Sequence, residues 1–389
     1  MFPDRKVPSS QVLGVVPLAL VMALIAVDVA NAQTPNVRDA VYISDVDGAH
    51  PESGEYAGDI GSQVRQLFDN LTVRLEGEGL TLRSVASVNV YLSDSRNFPA
   101  MNELYRQYFS TEPPARATIE VDLASPEALI SMSVVAVSPG NRTVIVPQGL
   151  AAPQLPYSWG IQSGNTLYLA GVTSRDPNTY EPVTGDIGTQ TQRVLENIGI
   201  ALNAAGMDYS DVSACRVFLD DARHFGAMNR VYATFFPEAP PARATVRAGV
   251  MNPAFKVEIQ CIAVQDEARR IVMAEGASPS RSPFSPAIMA GGRLYLSGML
   301  GRGPDGYGDI ESQTRLTLEN LFATMASAGL NASDVIDARV YATDIRQIGA
   351  IQGVYREMMG GAEPPTTIVG APLMSATAGV EIMFTAEQR

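Results

Sequence analysis

The stretch Pro240-Pro241-Ala242-Arg243-Ala244-Thr245-Val246 joins a pair of prolines to an arginine and a β-branched run. Two prolines end a helix and favour a turn, and the β-branched residues after them predict a strand. The pattern therefore places Arg243 at a junction between a turn and a strand. Its planar guanidinium suits a carboxylate there, although a surface ion pair is the alternative interpretation of one such arginine.

Two further copies of this stretch show that the chain is built from repeats. Pro113-Pro114-Ala115-Arg116-Ala117-Thr118-Ile119 lies 240 − 113 = 127 residues earlier, and Pro364-Pro365-Thr366-Thr367-Ile368-Val369 lies 364 − 240 = 124 residues later, without the arginine. A fixed period is the mark of a repeat architecture. Two arginines at the same place in two repeats favour a ligand over a surface ion pair.

The other markers recur in the same order and define the fold class. An apolar strand leads to Gly-Asp-Ile, at Gly58, Gly185 and Gly308, and the aspartate suits the cap of a following helix. A strand, a short helix, the proline stretch and a last strand follow. We predict an α+β unit, β-β-α-β-α-β-β, with a mixed sheet and two helices on one face. The predicted repeats are residues 38–140, 152–267 and 280–388, with an additional opening strand at 156–158 and 283–285.

The first residues read as a targeting segment. Arg5 and Lys6 precede an apolar run from Val12 to Val27, and Ala30-Asn31-Ala32 fits a small-residue cleavage site. This pattern predicts a signal peptide over residues 1–32, and the apolar run is shorter than the roughly 20 residues of a membrane helix. We expect an exported protein, periplasmic or secreted, without a membrane anchor after cleavage.

Composition excludes several classes of function. A net charge of −13 without basic runs argues against nucleic-acid binding. His50 and His224 are the only histidines and lie far apart in the repeat frame, which argues against a zinc site or a Ser-His-Asp triad. No nucleotide-binding glycine pattern occurs, so we expect neither metal nor cofactor. Cys215 and Cys261 fit a disulfide, and they fit two buried thiols at least as well.

Six segments of the second repeat together resemble the Rid family, also called YjgF-like proteins. They are Pro156-Tyr157-Ser158, Leu169-Ala170-Gly171, Gly185-Asp186-Ile187, Met228-Asn229-Arg230-Val231-Tyr232, Pro241-Ala242-Arg243-Ala244-Thr245 and Val257-Glu258-Ile259-Gln260-Cys261-Ile262-Ala263-Val264. The resemblance extends to all three repeats. It implies small enamine or imine deaminases with a chorismate-mutase-like fold, forming homotrimers whose sheets close into a barrel. Three copies in one chain then predict an intramolecular pseudo-trimer and a monomer.

The resemblance also implies ligand clefts between neighbouring units. An arginine half would hold the carboxylate of a small ligand, and a loop half would line the opposite wall. The arginine half falls on Arg116 and Arg243, Asn102 and Asn229, and Thr118 and Thr245; the loop half falls on Tyr157, Phe284, Gly171, Ser297 and Gly298. We expect Arg116 to face Tyr157, and Arg243 to face Phe284. The third repeat lacks the arginine and the first has Asp45 in place of the glycine, so two competent clefts are predicted.

A catalytic glutamate on the last strand is also implied. Counted back from the terminal Ala-Val, its position falls on Ser133, Gln260 and Met383, none of which is a carboxylate. Losing a positioned base typically slows a reaction about 10²–10⁴-fold. Glu258 and Glu381 lie two residues earlier on the same strand face and are an alternative source of the carboxylate, although the resemblance implies a structural or solvent-facing role for their position. Gln260 and Ser133 are therefore the candidates for positioning water.

Two functions fit these residues. One is weak hydrolytic deamination of 2-imino or 2-enamino acids in the clefts between repeats. The alternative is a non-catalytic binder of small carboxylates, or a scaffold, on the same fold. The missing glutamate favours the alternative, whereas the retained arginines, asparagines, threonines and aromatic residues favour ligand binding over a scaffold.

Overall fold

Three successive repeats make up the part of the chain that the computed structural model describes, which is Met1, Pro3, residues 39–278 and residues 280–388. The first repeat contains β1 (Ala40–Asp47), α1 (Ile60–Gly77), β2 (Val85–Leu92), α2 (Phe98–Tyr108), β3 (Ala115–Glu120), β4 (Asp122–Leu123) and β5 (Ile130–Val137). The second contains β6 (Arg142–Ile145), β7 (Gly160–Ser163), β8 (Thr166–Leu169), β9 (Val172–Thr173), α3 (Ile187–Ala204), β10 (Val212–Leu219), α4 (Phe225–Phe235), β11 (Ala242–Arg247), β12 (Gly249–Val250) and β13 (Val257–Val264). The third contains β14 (Arg270–Val272), β15 (Ala287–Ala290), β16 (Arg293–Leu296), β17 (Met299–Leu300), α5 (Ile310–Ala326), β18 (Val335–Ala342), α6 (Ile348–Met359), β19 (Thr366–Gly370) and β20 (Val380–Glu387).

The long helix of each repeat begins where the sequence predicts it. Asp59, Asp186 and Asp309 precede α1, α3 and α5, and each carboxylate accepts a backbone N–H from the first turn. These bonds satisfy a donor that has no partner within the helix. The apolar stripe of each helix then packs on the sheet, and α3 buries Val194, Leu195 and Ile198 in this way.

Each repeat has a mixed sheet around one inner strand that is almost entirely buried. β2 pairs in parallel with β3 and antiparallel with β5, and β10 and β18 have the corresponding partners. The two helices of each repeat pack side by side, α1 with α2, α3 with α4 and α5 with α6. The predicted α+β class is confirmed.

The repeats are joined by a cyclic exchange of edge segments. β12 of the second repeat pairs with β3 of the first, and β4 of the first pairs with β19 of the third. Leu373 of the third repeat bridges to Val246 in β11 of the second. Each arginine strand, or its counterpart, thus receives an edge segment from another repeat. An apolar cluster at the centre contains Tyr91, Phe218 and Tyr341, the same position in three repeats, and the internal pseudo-trimer is confirmed.

Two details differ from the sequence predictions. Among the described residues the sheets are open, with five, seven and eight strands, and do not close into a barrel, because the repeats share only short edge ladders. The opening strands begin at Gly160 and Ala287 rather than at 156–158 and 283–285. The earlier residues instead donate to the neighbouring repeat, Ser158 N–H to the Pro114 carbonyl and Ser285 N–H to the Pro241 carbonyl.

Residues between the predicted repeats also belong to the sheets. β6 pairs with β7, and β14 pairs with β15, so the second and third sheets begin upstream of residues 152 and 280. Of the two alternatives for the cysteines, the disulfide is observed, joining Cys215 to Cys261, which lie directly opposite each other on β10 and β13.

The predicted signal peptide, apart from Met1 and Pro3, lies outside the described residues. Within the described part of the chain, no helix combines the length and the apolar character that crossing a membrane requires.

Candidate active site

The first cleft lies between the first and second repeats and has a volume of about 400 Å³. Arg116 and Thr118 of β3 line one wall, and Tyr157 and Gly171 of the second repeat line the other. Gly171 donates its N–H to the Arg116 carbonyl over 3.0 Å, which joins the two walls. The structure therefore brings together the arginine half and the loop half in the direction predicted from the sequence.

Arg116 is held so that part of its guanidinium remains free. The side chain is 4% exposed, and its Nη2 donates to Asn102 Oδ1 over 2.8 Å. Its charge lies over the Tyr105 ring at 4.6 Å, a favourable cation–π contact. Nη1 has no hydrogen-bond partner, and neither has the hydroxyl of Thr118 on the same strand. Buried donors are almost always paired, so two unpaired donors in one cleft indicate a position for an anionic ligand.

Glu258 of β13 completes this cleft from the second repeat. It lines the same cavity as Arg116, is 5% exposed, and its Oε1 accepts the Thr118 N–H over 3.3 Å. Burial raises the pKa of Glu258 to about 8, against the opposing effects of the Thr118 N–H and the Arg116 charge. A carboxyl group that titrates near neutral pH is suited to both giving and accepting a proton.

Gly171 is the residue that makes room for this glutamate. A Cβ at position 171 would lie 1.9 Å from Glu258 Oε1 and 2.8 Å from the Ala117 side chain. Only a residue without a side chain leaves the carboxyl group in place. The glycine of the loop half therefore has a steric role.

The second cleft repeats this arrangement between the second and third repeats, with a volume of about 270 Å³. Arg243 Nη2 donates to Asn229 Oδ1 over 2.7 Å, while Arg243 Nη1 and the Thr245 hydroxyl are unpaired. The arginine lies 5.5 Å from the Phe284 ring centre. Burial raises the pKa of Glu381 to about 8, and a Cβ at Gly298 would lie 1.9 Å from its Oε1.

The interface between the third and first repeats lacks the charged groups of the other two clefts. Strand register places Thr366 opposite Ala338, as Arg116 is opposite Val88 and Arg243 opposite Cys215. Ser131 of β5 is the counterpart of Glu258 and Glu381, because it pairs with Tyr91 as Glu258 pairs with Phe218. Asp45, at the glycine position, is exposed and has a positive φ of 55°. Arginine, glutamate and glycine are all replaced in this third cleft.

Gln260 and Ser133, which the family resemblance predicts to position water in the clefts, do not line either cleft. Gln260 Oε1 accepts from Asn89 Nδ2 over 2.6 Å, and Ser133 shares a 2.6 Å hydrogen bond with Thr367. Both lie among buried residues at the centre of the three repeats, two positions along the strand from the clefts. Glu258 and Glu381, which lie two residues earlier on their strands than the predicted position, line the clefts instead.

Ser297 also differs from its predicted substrate-binding place. Its hydroxyl donates to the Ser285 carbonyl over 2.6 Å and accepts the Arg243 N–H over 2.7 Å. Both bonding directions are thus used within the protein, and Ser297 joins the loop half to the arginine strand. Asn102 and Asn229 accept hydrogen bonds from the arginine Nη2 atoms and so fix the guanidinium groups in place.

A signal in the sequence could have identified the two glutamates. Val-Glu-Ile occurs on the last strand of the second and third repeats, at Glu258 and Glu381, and is replaced by Ile-Ser-Met around Ser131 in the first. The loop half is intact in the second and third repeats and altered in the first. The glutamate therefore follows the loop half, as expected of residues that share one cleft.

Comparison with known proteins agrees with this architecture. The sequence model of the family described as Endoribonuclease L-PSP matches residues 27–138, 149–265 and 275–388, so the chain belongs to this family and contains three copies of its domain. Protein DfrA of Myxococcus xanthus is 44% identical over 111 residues, which are 28% of this chain and 85% of that protein. The chloroplastic Reactive Intermediate Deaminase A of Arabidopsis thaliana is 36% identical over 138 residues, 36% of this chain and 72% of that protein.

Solved structures of single domains and of a longer chain are also similar. The Rid family protein YyfA of Yersinia pestis is 31% identical and covers 32% of this chain and 98% of its own, with a TM-score of 0.31. A chorismatase covers 78% of this chain and 93% of its own, with a TM-score of 0.52 and 13% identity. The likeness to the chorismatase is one of fold.

Proposed function

We propose that the protein hydrolyses 2-imino or 2-enamino acids to 2-oxo acids and ammonia in the first and second clefts. One observation carries this proposal. Each of these clefts contains an arginine whose Nη1 has no hydrogen-bond partner and a buried glutamate whose pKa is about 8. The relative from Arabidopsis named as a reactive intermediate deaminase supports the same reaction class.

Binding would begin with the carboxylate of the substrate. Nη1 of Arg116 and the hydroxyl of Thr118 are donors on one wall of the first cleft, and both lack partners. Hydrogen bonds between charged groups contribute about 1.5–3 kcal/mol. Asn102 fixes the other end of the guanidinium, so little ordering is needed on binding. Arg243, Thr245 and Asn229 would act in the same way in the second cleft.

The glutamate would then move the protons of the hydrolysis. With a pKa of about 8, Glu258 is mostly protonated at neutral pH and can protonate the imine nitrogen, which makes the adjacent carbon more electrophilic. The resulting carboxylate accepts a proton from the water that attacks this carbon. It returns that proton to the nitrogen of the carbinolamine. As the C–N bond breaks, the carboxylate takes up the hydroxyl proton of the carbinolamine, so that water and imine become ketone and ammonia and Glu258 is again protonated. A missing carboxylate base was the reason for favouring a non-catalytic binder. Glu258 and Glu381 line the clefts and can supply that base, which supports the deaminase instead.

The reaction can be tested with 2-iminobutyrate generated in the assay and followed by loss of the imine. The purified chain should accelerate this loss above background. Glu258→Gln combined with Glu381→Gln should reduce the rate about 10²–10⁴-fold, because glutamine keeps the shape of the side chain but cannot act as a general acid or base. Glu78→Gln with Glu275→Gln, at exposed positions, is the matched control and should behave as wild type.

A second pair of substitutions tests the binding role of the arginines. Arg116→Ala with Arg243→Ala should weaken the affinity for 2-oxobutyrate roughly 10- to 100-fold. A wild-type rate equal to background would reject the deaminase, and measurable keto-acid affinity in that protein would select the non-catalytic binder.

A further inference from the structure

The first and second clefts differ in their distal walls, although their arginine and glutamate ends are alike. Beyond Gly171 the first cleft is lined by Thr173, Arg175, Tyr180 and Phe255. Beyond Gly298 the second is lined by Leu300, Met374 and Ser375. The counterparts of the last two, Met251 and Asn252, also line the first cleft. The first cleft thus has a second guanidinium besides Arg116. Among the described residues, Arg243 is the one guanidinium that lines the second cleft, and Leu300 takes the place of Thr173 there.

Arg175 is held in position by aromatic rings rather than by an acid. Its guanidinium lies 4.2 Å from the Tyr180 ring centre and 4.7 Å from that of Phe255. Nη1 donates to the Tyr180 carbonyl over 2.9 Å. Among the described residues no carboxylate forms an ion pair with it. A fixed guanidinium that lacks an acidic partner and lines a cavity is suited to an anionic ligand group.

The same position of the third repeat shows that this arrangement is specific to one cleft. Arg302 lies four residues after Gly298, as Arg175 lies four residues after Gly171. Arg302 is exposed and is not among the residues that line the second cleft. The Phe255 position is taken by Ala378, two residues before its last strand as Phe255 is before β13, so the ring that packs on the guanidinium is missing there.

We propose that the first cleft takes 2-imino acids with a second carboxylate at the distal end, and that the second cleft takes 2-imino acids with an aliphatic side chain. This inference rests on the proposed function, because it assigns the substrate classes of the same two clefts. Arg116 binds the carboxylate next to the imine, and Arg175 binds the distal one. Water and the imino dicarboxylate give the 2-oxo dicarboxylate and ammonia, so no other reactant is needed.

The test separates the clefts by silencing one of them at a time. With Arg243→Ala only the first cleft keeps its arginine, and with Arg116→Ala only the second does. Rates are measured with 2-iminosuccinate and with 2-iminobutyrate, each generated in the assay. We expect Arg243→Ala protein to prefer the dicarboxylate and Arg116→Ala protein to prefer 2-iminobutyrate.

Arg175→Gln in the Arg243→Ala protein then tests the distal contact. The ratio of kcat/KM for the dicarboxylate to that for 2-iminobutyrate should fall about tenfold, the effect of losing one charged hydrogen bond at a half-buried site. The charge of Arg175 also lowers the pKa of Glu258. The change in this pKa cancels in the ratio, because both substrates use the same glutamate. Arg302→Gln is the matched control and should leave the ratio unchanged in the Arg116→Ala protein.

The possible failures are distinguishable. If no imine is hydrolysed, the proposed function fails, and the inference is decided by whether Arg175→Gln weakens binding of 2-oxosuccinate relative to 2-oxobutyrate. If both imines are hydrolysed but the ratio is unaffected by Arg175→Gln, only the inference is overturned. A first cleft that prefers an aromatic imino acid would also overturn it, since Tyr180 and Phe255 would then contact the substrate instead of Arg175.

Discussion

At the scale of single residues, Glu258 and Glu381 tie function to pH-dependent stability. Both folded-state pKa values are about 8, well above the roughly 4.3 of an exposed glutamate. The folded protein therefore holds more protons than the unfolded chain between these values, and stability falls as pH rises from about 4.5 to 8. The clefts thus weaken the fold at high pH.

Replacing both glutamates by glutamine should remove this part of the pH dependence. From pH 5 to pH 9 the wild-type protein should lose more stability than the Glu258→Gln, Glu381→Gln protein, by on the order of 1–4 kcal/mol per glutamate. Thermal unfolding of both proteins at the two pH values measures the difference. Equal losses would contradict the buried, protonated state of the two side chains.

Gly171 offers a steric test of the same cleft. Gly171→Ala places a methyl group where the Glu258 carboxyl lies, so the first cleft should lose activity about 100-fold through misplacement of the acid. The rate is measured in the Arg243→Ala protein, where the second cleft is silent. Gly226→Ala, which adds a Cβ with no atom within 4 Å, should change little, and a fully active Gly171→Ala would mean that Glu258 is not needed in its observed position.

At the scale of elements, the aspartate caps fix where the long helices begin. The Asp186 carboxylate accepts the Thr189 N–H over 2.8 Å at the start of α3. Asp186→Ala should lower the Tm by about 1–3 °C, because that donor loses its partner. Asp186→Asn keeps a side-chain acceptor and should restore most of the Tm, whereas equal losses in both variants would point to the charge instead of the cap.

The helices and strands were predictable because their signals are local in the sequence. The site was predictable only in part, because it depends on contacts between repeats. Prolines, the Gly-Asp-Ile caps and the alternating strands depend on neighbours in sequence, and the helices and main strands follow them. The local sequence predicts a strand at residues 156–158. It does not reveal that the Ser158 N–H donates to the Pro114 carbonyl of another repeat, because that contact depends on residues distant in sequence. Gln260 was placed in a cleft because two positions on one strand face look alike in sequence, while one faces the cleft and the other the centre.

At the scale of the whole molecule, the cyclic exchange of edge segments predicts a monomer. Each repeat already receives an edge segment from within the chain, and tethering supplies these partners at high effective concentration. Light scattering of the purified chain should give the mass of one chain. A mass near three chains would show that the repeats pair between molecules instead.

Covalent linkage of the repeats also changes what one mutation can do. In a trimer of identical chains every substitution appears three times, so a site cannot be altered without altering its two copies. Here Thr366, Ser131 and Asp45 replace the charged and glycine positions of one interface while Arg116, Arg243, Glu258 and Glu381 remain at the other two. In one covalent chain, a substitution can therefore change one interface without changing the other two.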